Sequence, residues 1–171
     1  MSIYLGVDVG ANTGLAAIDE NGVCILRESV ALDGEYAERL AGLGEHITAL
    51  ISAVECADEP DDIGLLVVEE PPYKKSPSAH RILCGYEAIV IKVCEDLGVA
   101  YMSVNNATIK KVIVRGGAVG KSSKADMMSK AASLIGETVP EFKTKKERDF
   151  AQNGYDAVLC AFYARFLKEG K

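Results

Sequence analysis

The chain has no stretch approaching the roughly 18 uncharged apolar residues that a membrane-spanning helix requires, and its opening MSIYLGVDVG lacks the basic segment and longer apolar run of an export signal. A membrane-embedded or secreted protein is not expected, which points to the cytoplasm. Histidine is nearly missing. With only His46 and His80, a zinc site built from His and Cys has almost no ligands to draw on. Cysteine pairs are absent too: Cys24, Cys56, Cys84, Cys94 and Cys160 are odd in number, widely spaced and free of any Cys-x-x-Cys, so they read as reduced thiols of the core. There is no internal repeat, low-complexity linker or compositional break. The 171 residues, 49% of them hydrophobic, are therefore expected to form one domain over 1–171 around one core.

Basic residues are scarce in the first part of the chain. Residues 1–70 hold two basic and 15 acidic residues, whereas residues 71–171 hold 17 basic and 10 acidic. The net charge of −6 would by itself argue against a nucleic-acid partner. The basic half, however, could face a polyanion. Between Asn105 and Lys130 it carries Lys110, Lys111, Arg115, Lys121, Lys124 and Lys130 against Asp126 alone, interleaved with Gly116, Gly117 and Gly120. On charge alone, this segment is either a phosphate-binding surface or a solvated loop and helix face.

Short apolar runs at Ser2–Val9, Gly14–Asp19 and Val23–Leu32, the last two separated by Glu20-Asn21-Gly22, read as an antiparallel meander, since Asn-Gly is a strong hairpin signal. From Glu35 to Glu55 apolar residues recur at steps of three and four, the face of an amphipathic helix, and an acidic loop at Asp58–Asp62 ends it. Ile63–Val68 is a continuous apolar run stopped by Pro71-Pro72, as in a strand buried on both faces. A helix over Ser78–Leu97, a buried strand over Val99–Val104, a short helix from about Ala107, a helix near Ser123–Ile135 and a last helix from about Glu147 to Leu167 complete the chain. The expected class is α/β: a mixed five-stranded sheet with helices on both faces.

Acids stand where strands end. Asp8, inside an apolar run, needs a cation or hydrogen-bond donors, unless it merely caps the turn at Gly10–Gly14. Glu69 and Glu70 close the buried strand, and because adjacent strand residues point to opposite faces, only one of them can share a site with Asp8. Asn153 and Asp156, at the opening of the last helix, share one helical face, although both are also ordinary helix-start residues. Carboxylates drawn from a first strand, a buried middle strand and a late helix, in a chain poor in His and Cys, suit an oxygen-ligand site for a hard cation such as Mg²⁺. Without a cation, clustered carboxylates would protonate or weaken the fold.

Gly-Val-Asp-Val-Gly near the N-terminus, Val-Val-Glu-Glu after the fourth run and Asn-x-x-Asp-Ala near the C-terminus resemble, in order and spacing, the RuvC family of Holliday-junction resolvases within the ribonuclease H-like superfamily. The segment KKVIVRGGAVGKSSKADM, Lys110–Met127, resembles that family's junction-binding stretch, with Lys110 and Lys121 eleven positions apart. The likeness spans nearly the whole chain. It implies a ribonuclease H-like fold and a homodimer that cleaves four-way junctions or related branched DNA. It also implies two Mg²⁺ ions, or Mn²⁺ in their place, held by Asp8, Glu69 or Glu70, Asp156 and Asn153, with Lys110, Lys111, Arg115, Gly116, Gly117, Lys121 and Lys124 on DNA. One departure stands out: the family pattern has an acid where this chain has Asn153, and Asp149, one turn upstream, could substitute. The helix Ser78–Leu97, with Tyr86 and Ile89, is either the dimer interface or ordinary core. Tyr73 with Lys74 and Lys75 either touches DNA or forms an exposed loop.

Three other readings remain open at this stage. Gly116–Ser122 ends in Gly-Lys-Ser like a phosphate-binding P-loop, but Arg115 stands where that pattern needs glycine. Asp8–Gly14 resembles the first phosphate loop of actin-like nucleotide-binding proteins, whose cleft requires two such domains. A non-catalytic branched-DNA binder, with Asn153 marking a decayed site, is the third.

Overall fold

The computed structural model describes residues 1–55, 62–73, 76–118 and 120–170. Strands β1 (Ser2–Asp8), β2 (Asn12–Asp19) and β3 (Cys24–Ala31) form the expected antiparallel meander. Helix α1 (Tyr36–Glu55) leads to β4 (Asp62–Glu69), α2 (Pro77–Leu97) to β5 (Tyr101–Val104), and both strands run parallel to β1. The sheet order is β3-β2-β1-β4-β5, with β1 at its centre. The acidic loop read at Asp58–Asp62 lies, except for Asp62, outside the described residues, as do Cys56, Lys74 and Lys75.

Alternation along the strands sorts two cores. Ile3, Leu5, Val7, Leu66 and Val68 face α1 and α2, while Tyr4, Ala16, Leu65 and Val67 face the other layer. That second layer holds α3 (Asn106–Ile109), a π-helical turn over Lys110–Val114, α4 (Lys124–Leu134) and α5 (Lys145–Glu169). Helix α5 lies against β1 and β2 with Ala157, Ala161 and Ala164 fully buried. Glycine makes that approach possible. A Cβ on Gly6 would stand 2.0 Å from the Ala157 carbonyl oxygen, and one on Gly14 would stand 1.8 Å from the Asn153 carbonyl oxygen. Ser29 Oγ, on β3, accepts the Gly154 amide at 2.9 Å and fixes the helix along its axis.

Three expectations need correction. Asn153 and Asp156 do not open the last helix: Thr144 caps it and it begins at Lys145, so the pair sits more than two turns in. The strand expected to be buried, β5, is an edge strand with Tyr101 and Met102 exposed, because among the described residues no strand pairs beyond it. Of the two readings left open for α2, ordinary core holds for Tyr86, which is 1% exposed and edge-on to Tyr36, and Ile89 is partly buried against the same core. Cys94 and Cys160 are buried thiols, but Cys24 and Cys84 are only half-buried. Among the described residues no helix is long and apolar enough to cross a membrane.

Candidate active site

Parallel pairing sets Val7 beside Val68, which places the next residues, Asp8 and Glu69, side by side at the carboxyl ends of the two central strands. Val7 and Val68 face α1 and α2, so by alternation the Asp8 and Glu69 carboxylates point to the opposite face, towards α5. Glu70 points away from that face, is exposed, and does not line the cavity that Asp8 and Glu69 share with α5; it borders a smaller adjoining one with Asp8, Glu69, Pro71, Pro72 and Leu83. Across from the strand ends, α5 presents Asn153 and Asp156 one turn apart. These four residues line one cavity of about 410 Å³ together with Asn106, Lys110, Lys124 and Gln152.

The charges in this cavity interact strongly. Burial first, then Glu69 and Asp156, push the Asp8 carboxyl well above the usual carboxylate range, with Lys124 opposing. Asp156 is pushed up to about 7 by burial and by Glu69, against the lowering influence of a Gln152 hydrogen bond, Lys110 and Lys124. The thiol of Cys160, buried behind them, is raised by burial and by the same three carboxylates, which keeps it protonated and unfit as a ligand or nucleophile.

The lysines come from two helix starts. Lys110 opens the π-helical turn, a distortion often found at functional sites. Lys124 is the first residue of α4, held there by a capping box in which the Ser123 hydroxyl accepts the Asp126 amide and the Asp126 carboxylate accepts the Ser123 amide. A cation at a helix N-terminus is unfavourable, so helix stability does not account for a lysine at this position.

Other residues singled out from the sequence lie elsewhere. Lys111, Gly116, Gly117 and Lys121 are exposed and do not line the cavity. Arg115 is turned inward: its guanidinium donates to the carbonyls of Gly120 and Lys110, closing the glycine loop. Gly116, Gly117 and Gly120 all adopt positive φ, which explains the glycines as requirements of that loop. The loop follows a helical turn rather than a strand, which removes the P-loop reading. Asp149 does not line the acidic cavity. It pairs with Arg148 and lines a different, larger cavity with Asn12, Lys145, Lys146 and Phe150. Tyr73 is 89% exposed with its ring against His80.

Two residues were missed. Gln152, 4% exposed, donates through Nε2 to Asp156 Oδ1 at 2.7 Å, and Asn106 donates through Nδ2 to Glu69 Oε2. Amides carry no spacing signature; the one available signal was Gln152 lying four residues before Asp156, a favourable helical pair.

The residues present fit a hard divalent cation. Three carboxylates and the amide oxygens of Asn106 and Asn153 surround the cavity, and the oxygen of Asn106 is buried without a donor. Asn153 directs its amide nitrogen to the carbonyls of Asp149 and Phe150, so its remaining group is an oxygen. Among the described residues no three His, Cys, Asp or Glu side chains are already drawn together as a cage. Instead Glu69 accepts from the Asn106 amide and Asp156 from the Gln152 amide.

No family model and no curated protein sequence matches the chain. Among solved structures it is similar to Thermus thermophilus RuvC in complex with Holliday junction substrate, with 13% identity, a TM-score of 0.75, and coverage of 99% of this chain and 97% of that one. It is similar to T. thermophilus RuvC at 16% identity and a TM-score of 0.72, over 97% of each chain. The yeast mitochondrial Holliday junction resolvase Ydc2 gives 12% identity and a TM-score of 0.56, over 95% of this chain and 77% of that one. The fold is the ribonuclease H-like α/β fold of these proteins.

Proposed function

We propose that the protein is a divalent-metal-dependent endonuclease that cleaves branched DNA, four-way junctions foremost. The observation that supports this reading best is the convergence of Asp8, Glu69 and Asp156, from two strand ends and one helix, on a single cavity that also receives Lys110 and Lys124. Asp8, Glu69 and Asp156, with the Asn153 oxygen, would hold two Mg²⁺ ions, or Mn²⁺ in their place. When bound, such ions supply an activated water and stabilisation of the departing oxygen of a phosphodiester. Lys110 and Lys124 neutralise the phosphate entering the cavity. Lys111, Lys121 and the backbone at Gly116 and Gly117 hold the flanking strand, contacts that position DNA without reading its sequence. Asn153 contributes no charge where the family pattern has an acid, which lowers the charge compensating each ion.

A junction offers two equivalent strands, and a symmetric homodimer cuts both. With Tyr86 in the core, α2 contributes Ile82 and Leu97, both 42% exposed, to that contact.

The test is cleavage of a synthetic four-way junction, with a linear duplex as control, by wild type, Asp8→Asn and Asn153→Asp. Wild type should nick the junction in Mg²⁺ or Mn²⁺, and Asp8→Asn should bind it without cutting. Binding without cleavage in any divalent metal, restored by Asn153→Asp, would identify a decayed nuclease. Thermal stabilisation by ATP without affinity for junctions would identify a nucleotide-binding protein instead.

A further inference from the structure

Asn106 makes an unusual commitment. Its neighbour Asn105 caps α3, with its side-chain oxygen accepting the Ala107 amide at 2.9 Å, so the helix start makes no demand on the Asn106 side chain. Asn106 instead reaches across to β4 and donates Nδ2 to Glu69 Oε2. A carboxylate can only accept, so the nitrogen must face Glu69 and the oxygen is fixed by planarity on the other side of the amide. That oxygen, Oδ1, is buried and receives no hydrogen bond. Asn106 lines the acidic cavity, as do Lys110 and Lys124, yet neither lysine donates to it.

An unmet buried acceptor is costly, and natural proteins rarely leave one without a use. What Oδ1 requires is a donor, or positive charge, arriving from the cavity. A divalent cation with its coordinated waters presents only outward O–H donors and positive charge, the complement of this atom. Aspartate at 106 would supply oxygen too, but it would set a fourth carboxylate against Glu69 with no donor between them.

Building on the metal-dependent reading above, we propose that Asn106 is a positioning residue for the divalent cation: its nitrogen sets the Glu69 carboxylate, and its oxygen accepts from the waters of the hydrated ion. The amide thus adds a second fixed neutral oxygen beside that of Asn153, without adding charge to a cavity already crowded with carboxylates.

The experiment measures metal binding directly, without DNA: calorimetric titration of Mn²⁺ into wild type, Asn106→Leu and Asn106→Asp, with melting temperatures in chelator and in saturating Mn²⁺. Outer-shell partners of metal ligands typically change affinity by about 10- to 100-fold, so Asn106→Leu, which keeps volume and removes both polar ends, should weaken Mn²⁺ at least about tenfold. Asn106→Asp should melt below wild type in chelator, through repulsion with Glu69, yet gain more from Mn²⁺ than wild type does. A merely structural role would lower the Asn106→Leu melting temperature and leave its Mn²⁺ affinity unchanged, which overturns the proposal. Should Asn106→Leu fail to fold, the Asn106→Asp pattern decides alone, and equal Mn²⁺ gains in Asn106→Asp and wild type overturn it. Wild type that binds no Mn²⁺ refutes the metal-dependent reading itself, and this inference with it.

Discussion

Replacing Gly14 by alanine tests whether the site is built by the seam between α5 and the sheet. Gly14 pairs with Asp8 across β1 and β2, and a Cβ there would lie 1.8 Å from the Asn153 carbonyl oxygen and 2.3 Å from its carbon. Both are backbone atoms, so no side-chain rotation relieves the clash. Restoring contact to an ordinary 3.4 Å requires α5 to retreat by more than about 1 Å, carrying Asn153 and Asp156 away from Asp8 and Glu69. Overpacking of this kind costs about 1–3 kcal/mol, only partly offset by the smaller unfolded-state entropy of alanine, so a net loss of about 2 kcal/mol is expected. Misplacement by about 1 Å at a reacting centre can cost about 100-fold in rate. Urea midpoints and single-turnover junction cleavage measure both quantities. Gly42→Ala is the control: it lies within α1, a Cβ there meets nothing within 4 Å, and it should stabilise by about 0.5–1 kcal/mol with cleavage unchanged. A Gly14→Ala protein that melts and cuts like wild type would refute the reasoning.

The acidic cavity also predicts an inverted pH dependence in chelator. Asp156 titrates at about 7 in the folded chain, so between about pH 4 and about pH 7 the native state holds a proton that the unfolded chain has released, and stability falls as pH rises through that window. Between about pH 5 and about pH 8 the loss from Asp156 is at most about 3 kcal/mol, with Asp8 acting in the same direction; Asp156→Asn should flatten urea midpoints over that range, and a wild type that gains stability instead contradicts the assignment. The two lysines that the resemblance left equivalent should separate. Lys121→Ala and Lys124→Ala should each reduce the salt slope of junction binding by about 1, but only Lys124→Ala, which empties a cation from the cavity, should slow cleavage at saturating DNA. Equal single-turnover rates for the two variants would show that Lys124 acts only in binding.

Helical spacing located α1 and α2 to within a few residues because each buries one continuous face, while the meander and β4 were read from apolar runs bounded by Asn21-Gly22 and Pro71-Pro72. Asp8 was readable as a site residue since a carboxylate inside an apolar run demands an explanation. The choice between Glu69 and Glu70 was not readable, because it depends on the parallel register that sets Val7 beside Val68, and register between distant strands leaves no local trace. The start of α5 was read to within two residues, at about Glu147 against Lys145; Asn153 and Asp156 were nonetheless set at its opening because Asn and Asp are common helix-start residues, a preference that says nothing of depth. Asn106 and Gln152 escaped notice because a neutral amide becomes informative only once its partner is known.

Packing, rather than metal, sets the geometry of this site. Gly6 and Gly14 let α5 close on the sheet, alanines fill the seam, and Ser29 fixes the helix axially, so the three carboxylates are brought together by apolar burial against their own repulsion. The fold should therefore persist in chelator, weakened at neutral pH but intact. The same opposition determines where metal affinity comes from. On the proposed metal-dependent reading, an entering cation would relieve repulsion already built into the native state, so part of its binding free energy would be the stability the carboxylates have cost. Substituting a neutral amide for any one of Asp8, Glu69 or Asp156 should for that reason stabilise the metal-free protein while weakening metal binding, an opposition that ordinary core residues cannot produce.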